Sequence, residues 1–515
     1  MKIEKVKIKN FRSYRDEIVI PFKNLNIFLK NDIGKSTILE ALDIFFNDKK
    51  ACCPISMDDI NQFSENDVEI SVCFSDFENI TIDTVSTRIQ DEYLLNEELL
   101  EIKKIYSATL KPVTYIVAKH PSNDDILESL LNKKITELKQ ICRDKAIHAQ
   151  DERRSASLRK AIRDSYDRII TELQCIPVDK EGREIREVLQ KQLPTYSLFQ
   201  SDRSNSDQDT EVQNPMKIAL NNILAKPEIL DRLRGVFDEV MEMQRVAQGT
   251  LEKLRILNPD LANMLSPRLQ EFEKLSWDKT FKTEISSDEI PLNKRSGVKR
   301  MILLSFFLNE VERRRDEELT DIIYAFEEPE TSQHPEHQSL LINAFKTLSE
   351  TDVQVILTTH SPYVYKELAH DRNINLLHIY MSQDIKEIKN IFDSFSLFPH
   401  SPTWGEINYF VYGLPTFEFF DELYSRLEEL NTEAHVDDFI VNNNSKSITK
   451  SESWNVAESS VQKLDRNNNP VVWQATYITC IRHQIHHPSN GLNSDYKPRL
   501  KEIDDMIAIL RNFPR

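Results

Sequence analysis

Glycine is scarce, at 8 of 515 residues, which excludes a collagen-like or glycine-rich low-complexity chain. The 25 phenylalanines point the same way, to packed cores and away from disorder. Six cysteines, at positions 52, 53, 73, 142, 175 and 480, form no C-x-x-C pair. Neither a zinc site nor a disulfide scaffold is expected, and a reducing cytoplasm fits. No apolar run reaches the ~18 residues of a membrane span, and the chain opens on lysine-rich alternation rather than a secretion signal. A basic excess is missing too: 66 Lys and Arg stand against 84 Asp and Glu, a formal charge of -18. A protein that coats DNA in general would carry the opposite sign, although the sum says nothing of a local basic groove. No heptad pattern lasts long enough for an extended coiled-coil arm, and no internal repeat is present.

What is present is 40% apolar and 29% charged residues, enough for real cores under an ionic surface. At about 150 residues per domain the length suggests roughly three domains. Met1 to Phe11 alternates apolar and polar residues like a half-buried strand. A second apolar segment, Leu25 to Leu29, leads directly into Lys30-Asn31-Asp32-Ile33-Gly34-Lys35-Ser36-Thr37. After it, Ile38, Leu39, Ala41, Leu42, Phe45 and Phe46 fall at helical spacing. From about Ser86 to Leu269 the pattern reads as mainly helical with polar breaks. Strands return at Thr320 to Phe326, Val353 to Leu357 and Asn373 to Tyr380.

Strand, turn and helix is the context that a phosphate-binding loop requires. Gly34-Lys35-Ser36 would wrap phosphates at a helix N-terminus, where backbone N–H groups face anions. Lys35 would reach the β- and γ-phosphates of ATP and Ser36 would coordinate Mg²⁺. The first glycine of the usual G-x-x-x-x-G-K-[ST] pattern is missing, with Leu29 in its place. The strand Ile322 to Phe326 ends at Glu327-Glu328-Pro329, where one carboxylate could hold Mg²⁺ and the next act on water as a general base. The strand Val353 to Leu357 ends at Thr358-Thr359-His360, placing a histidine where it could bond a terminal phosphate or orient water. Three such elements at strand exits are what one parallel sheet collects on its crest.

On these residues the chain resembles the ABC-type ATPases of the RecF, SMC and OLD (overcoming lysogenization defect) kind. The pieces that carry the resemblance are Ile8 to Ser13, Asn31 to Thr37, Phe326 to Glu330 and Thr358 to Pro362. Asn293-Lys294-Arg295-Ser296-Gly297-Val298 looks like the family's signature motif. The resemblance implies an α/β fold: an ATPase head made of residues 1–85 and 276–395, a helical insertion at 86–275, and a mostly helical C-terminal domain at 396–515. It implies ATP and Mg²⁺ as cofactors. Asn31, Gly34, Lys35, Ser36 and Thr37 would bind nucleotide, Ser36 and Glu327 would hold the metal, and Glu328, His360 and Lys35 would be catalytic. It also implies a homodimer or higher oligomer formed by paired heads, in which Ser296 and Gly297 act in trans. Leu29, and Glu327 where an aspartate is usual, suggest slow hydrolysis.

The tail carries no Asp-x-Asp after His360, which argues against the TOPRIM nuclease that OLD-type proteins often append. Ile478, Ile481 and Ile485 form an apolar helical stripe, and Leu500, Ile503, Met506, Ile507 and Leu510 form another, so a small helical bundle is expected. Arg482 to His487 fits the R-x4-H pattern of HEPN-like ribonucleases, in which a histidine moves a proton and an arginine stabilises the reacting phosphate. The alternative is a capping cluster with Arg482 as a docking residue. Trp404 to Phe410 and Phe417 to Tyr424 look like the tail of the PtuA-like ATPases of Septu and retron anti-phage defence systems, some of which work beside a separate nuclease.

Three functions therefore stay open: an ATP-gated sensor in a defence complex with a separate nuclease subunit, a self-contained ribonuclease toxin using Arg482 and His487, and a RecF-like DNA-repair ATPase. Nucleic acid, whether RNA, DNA or a retron RNA–DNA hybrid, is a candidate partner in each, and no membrane is expected.

Overall fold

The structure is a computed structural model. It describes residues 1–29, 34–63, 67–77, 88–107, 109–178, 188–190, 192–200, 228–229, 231–235, 321–331, 334–382, 385–391, 397–443, 448, 450, 452–455, 472–486 and 500–513. The chain divides into two compact units, one of Met1–Leu198, Asp321–Glu330 and His334–Arg515, the other of Phe199–Thr320 and Thr331–Gln333. Few residues of the second unit are described.

The first half runs β1 (Lys2–Lys9), β2 (Ile18–Pro21), β3 (Leu25–Leu29), α1 (Lys35–Asn47), β4 (Val68–Ser75), β5 (Leu100–Tyr106) and β6 (Pro112–Pro121). Helices α2 (Asp125–Ser129), α3 (Ile135–Asp144) and α4 (Ser155–Asp164) precede β7 (Thr171–Pro177) and β8 (Thr195–Phe199). Further along the chain come β9 (Ile322–Glu327), α5 (Pro335–Ser349), β10 (Val353–Thr359), α6 (Pro362–Leu368), β11 (Asn375–Ser382) and β12 (Ile385–Asn390). The C-terminal region adds α7 (Phe417–Leu430), α8 (Val436–Asn443), the hairpin β13 (Glu452–Asn455) and β14 (Val472–Ala475), α9 (Tyr477–His486) and α10 (Leu500–Leu510).

Two six-stranded sheets form the α/β body, in the orders β2-β1-β4-β5-β6-β7 and β12-β11-β3-β10-β9-β8. The first is antiparallel throughout. In β1 the residues Ile3, Val6 and Ile8 face inward; a register shift between Ile3 and Lys5 absorbs the extra residue that separates Ile3 from Val6. In the second sheet β11, β3, β10 and β9 are parallel. Every residue of β3 and β10 is buried, as expected for strands covered on both faces. Helix α1 joins the sheets: Ile38, Leu42 and Phe45 share one core with Ile70, Val72 and Phe74 of the first sheet and Ile323, Ala325 and Ile356 of the second.

The helical insertion expected from residue 86 is corrected by this topology. Residues 100–106, 112–121 and 171–177 are the strands β5, β6 and β7, and among the described residues from 88 to 178 the α-helices are α2, α3 and α4. Charged positions in this stretch imitate a solvated helix in the sequence, but they are cross-strand pairs: Lys103 Nζ lies 2.6 Å from Glu69, and Lys7 Nζ lies 2.7 Å from Glu101. Helix α4 is held to the lobe by the buried carboxylate of Glu92, which accepts from Arg159 Nη2 at 2.8 Å and also from Arg163.

The C-terminal helices have their own core, where Phe419, Phe420, Leu423 and Leu427 of α7 meet Ile478 and Ile481 of α9 and Ile503, Met506 and Leu510 of α10. Among the described residues no helix is long and apolar enough to cross a membrane.

Candidate nucleotide site

Register aligns the carboxyl ends of three parallel strands. Thr359 of β10 pairs with Leu29 of β3, and Thr358 pairs with Glu327 of β9. The residues that follow these positions meet on one crest of the sheet, the position where open α/β sheets bind ligands.

Gly34 caps α1 with φ of 112°, a left-handed conformation that disfavours a side chain. A Cβ there would lie 3.0 Å from Ser13 Oγ and 3.1 Å from Tyr14 Oη, so the turn is closed to larger residues. No side chain caps the helix and no acid occupies its first turn, which leaves its N–H groups and positive dipole end suited to an anion. Lys35 is buried, and its Nζ donates to Thr359 O at 3.2 Å and lies 3.1 Å from His360 Nε2. Ser36 Oγ donates to Glu327 Oε1.

Glu328 adopts a positive φ of 46°, and its N–H donates to Thr358 O at 3.0 Å. Leaving the extended conformation breaks strand alternation, so consecutive carboxylates can serve the same crest. The Glu328 carboxylate lies 2.6 Å from His360 Nε2. That nitrogen therefore faces both Lys35 and Glu328; carrying a proton it donates to Glu328, and without one it accepts from Lys35.

A hydroxyl and a carboxylate in contact, Ser36 and Glu327, form an oxygen donor pair suited to a hard cation such as Mg²⁺. The buried lysine and the uncapped helix suit the phosphates of a nucleotide. Mg-ATP thus fits the donor chemistry present.

The structure brings Gly34, Lys35, Ser36, Glu327, Glu328 and His360 together. Thr37 is buried on the first turn of α1, and Leu29 is fully buried as the last residue of β3. Asn31, Ser296, Gly297 and His487 lie outside the described residues. Arg482 lies on α9 at the edge of the C-terminal core, with Nε 3.0 Å from Asp421 Oδ1 and its guanidinium over the Tyr424 ring at 5.4 Å.

Four residues around the crest have no role in the sequence reading. Glu330, buried, accepts from Thr359 Oγ1 at 2.7 Å and from the His360 N–H at 2.9 Å. Tyr412 donates to His360 O at 2.8 Å, and burial followed by the charge of Glu330 pushes its phenol well up. Tyr14 donates to Gly34 O at 3.0 Å. Lys386 lies over the Tyr14 ring at 4.6 Å, and burial pushes its ammonium down to about 8. Glu330 sits two residues past Glu328 and was within reach of a motif reading; Tyr412, 52 residues beyond its partner, had no local signal.

Residues 1–365 match a family model described as an AAA ATPase domain. No curated protein matches the chain. Among solved structures, an Smc head bound to the C-winged helix domain of ScpA is 13% identical over 76% of this chain and 98% of that one, with a TM-score of 0.37. An SMC head domain from Thermotoga maritima is also 13% identical, over 76% of this chain and 99% of that one, with a TM-score of 0.33.

Proposed function

The chain belongs to the AAA ATPase domain family, and on that premise we propose that it is a slowly hydrolysing ATP sensor whose nucleotide-driven head pairing gates a separate nuclease in a bacterial anti-phage defence complex. The observation that carries the ATPase reading is the convergence of Lys35, Ser36, Glu327, Glu328 and His360 at the ends of β3, β9 and β10. In this reading the N–H groups at the start of α1 and Lys35 hold the phosphates, and Ser36 and Glu327 hold the metal. Bound Mg²⁺ would supply neutralising charge at the β- and γ-phosphates. Glu328 accepts the proton of the attacking water, and His360, steered between Glu328 and Lys35, orients it. Leu29 takes a position where a glycine would let the backbone close on phosphate, so turnover below ~10 per second is expected, under the median of enzymes.

The gating part rests on the tail. Arg482 is engaged by Asp421 and the Tyr424 ring at the edge of the C-terminal core, which supports a docking or structural role for it over that of an arginine presented to RNA. Ser296 and Gly297, by the family resemblance, complete the site from a second copy. The test is phosphate release from Mg-ATP by the purified chain, run beside gel analysis of total cellular RNA with and without Mg-ATP. ATP turnover with intact RNA supports the sensor. No ATP binding or turnover sinks it, and RNA cleavage by the chain alone removes the separate nuclease.

A further inference from the structure

His360 is held through its backbone from two directions. Its N–H donates to Glu330 at 2.9 Å, and its carbonyl accepts from Tyr412 at 2.8 Å. Glu330 follows β9, whereas Tyr412 ends a segment anchored on the C-terminal helices. That anchorage is tight. At Gly405 a Cβ would lie 2.6 Å from Phe419 Cα, so the segment packs directly on the α7 backbone. Glu406 is fully buried and accepts from Ser401 Oγ at 2.8 Å and the Thr403 N–H at 2.9 Å. Tyr409 packs on Phe419 at 5.1 Å and donates to Asp504 of α10 at 2.6 Å. Helix α6, which begins two residues after His360, is tied to the same segment: Tyr363 meets Trp404 edge-on at 5.3 Å, and Lys366 donates to Pro402 O.

Between Glu406 and Tyr412 the backbone forms a π-helical turn, Ile407–Val411, which carries the anchored Tyr409 within it. Such a turn holds one residue more than an α-turn, and re-registering it would rotate Tyr412 by about 100° about the helix axis. The phenol would then leave His360.

We infer that Tyr412 is a positioning residue that couples the C-terminal helices to the nucleotide site by fixing the His360 carbonyl. The inference rests on the ATPase reading above. Held by Tyr412, the imidazole stays between Lys35 and Glu328; with the π-turn re-registered, the carbonyl is released and the ring loses that alignment. Whatever the C-terminal helices bind can thereby set hydrolysis, and the state of the nucleotide can in turn reach those helices.

The experiment uses the full chain. Tyr412→Phe keeps the ring and removes only the donor. It should lower kcat for ATP about three- to tenfold, the worth of one net hydrogen bond, with KM and separately measured ATP affinity within about twofold. A hydroxyl with only a structural role would lower the unfolding midpoint and leave kcat unchanged, which overturns the inference. A second measurement needs no variant: amide hydrogen exchange across residues 404–413 should change when Mg-ATP is added, and no change in a chain that binds ATP overturns it equally. A chain that neither binds nor hydrolyses ATP overturns the ATPase reading itself, and the inference with it.

Discussion

The Glu328 carboxylate and His360 Nε2 lie 2.6 Å apart, and the same ring nitrogen stands 3.1 Å from Lys35 Nζ. A carboxylate, an imidazole and an ammonium thus share one hydrogen-bonding position at the end of the central strands.

Replacing Glu328 with Gln preserves size and one acceptor but removes the base. Steady-state phosphate release should fall at least ~100-fold, the lower range for a general base, while ATP affinity measured by equilibrium binding stays close to that of the unaltered chain. Unchanged turnover would move the base to another group.

Gly34→Ala tests the phosphate turn. The added methyl meets Ser13 and Tyr14 at φ of 112°, so the turn must open or the strain, ~1–3 kcal/mol, must be carried. ATP affinity should fall about 5- to 150-fold, the equivalent of that free energy, together with the midpoint of thermal unfolding. Retained affinity at unchanged stability would show that the turn does not hold phosphate.

The parts of this crest visible from sequence are those fixed by strand periodicity and by what leaves each strand. Apolar runs end at Leu29, Phe326 and Leu357, and lysine, two glutamates and a histidine follow within a few residues. The first sheet was less legible because Glu101, Lys103 and Lys104 interrupt β5 with charges whose partners, Lys7, Glu69 and Asp48, are far away in sequence. Periodicity cannot register a pairing of that kind. The contact of Tyr412 with His360 was illegible for the same reason: it depends on how Gly405 lets one segment settle on α7, a matter of packing.

Lys386 gives a pH prediction with a definite sign. Burial lowers its folded pKa from 10.5 to about 8, so between those values the unfolded chain binds more protons than the folded one. Stability should therefore rise as pH climbs from 8 towards 10.5. Lys386→Met keeps the apolar stem against Tyr14 and removes the charge. It should flatten that rise and stabilise the chain at pH 7 by about 1 kcal/mol, a figure reduced for the partly exposed ammonium. Thermal unfolding midpoints across pH 7 to 10.5 read this directly, and a rise that persists in the variant assigns it to another group.

Arg482→Ala separates the two readings of the tail. The guanidinium is 21% exposed, 3.0 Å from Asp421 and 3.9 Å from Glu428, and Asp421 also takes His486 Nε2 at 2.8 Å. Removing the arginine leaves Asp421, among the described residues, with the histidine and strips the cation from the Tyr424 ring, a loss of ~1–2 kcal/mol for a partly buried pair with a cation–π contact. If Arg482 ties α9 to α7, the variant should unfold at lower denaturant concentration, and total RNA should stay intact with either protein. If it acts on RNA, the unaltered chain should cleave and the variant should fail to, at unchanged stability. The first outcome leaves the effector in a separate subunit; the second places it here, beside His487.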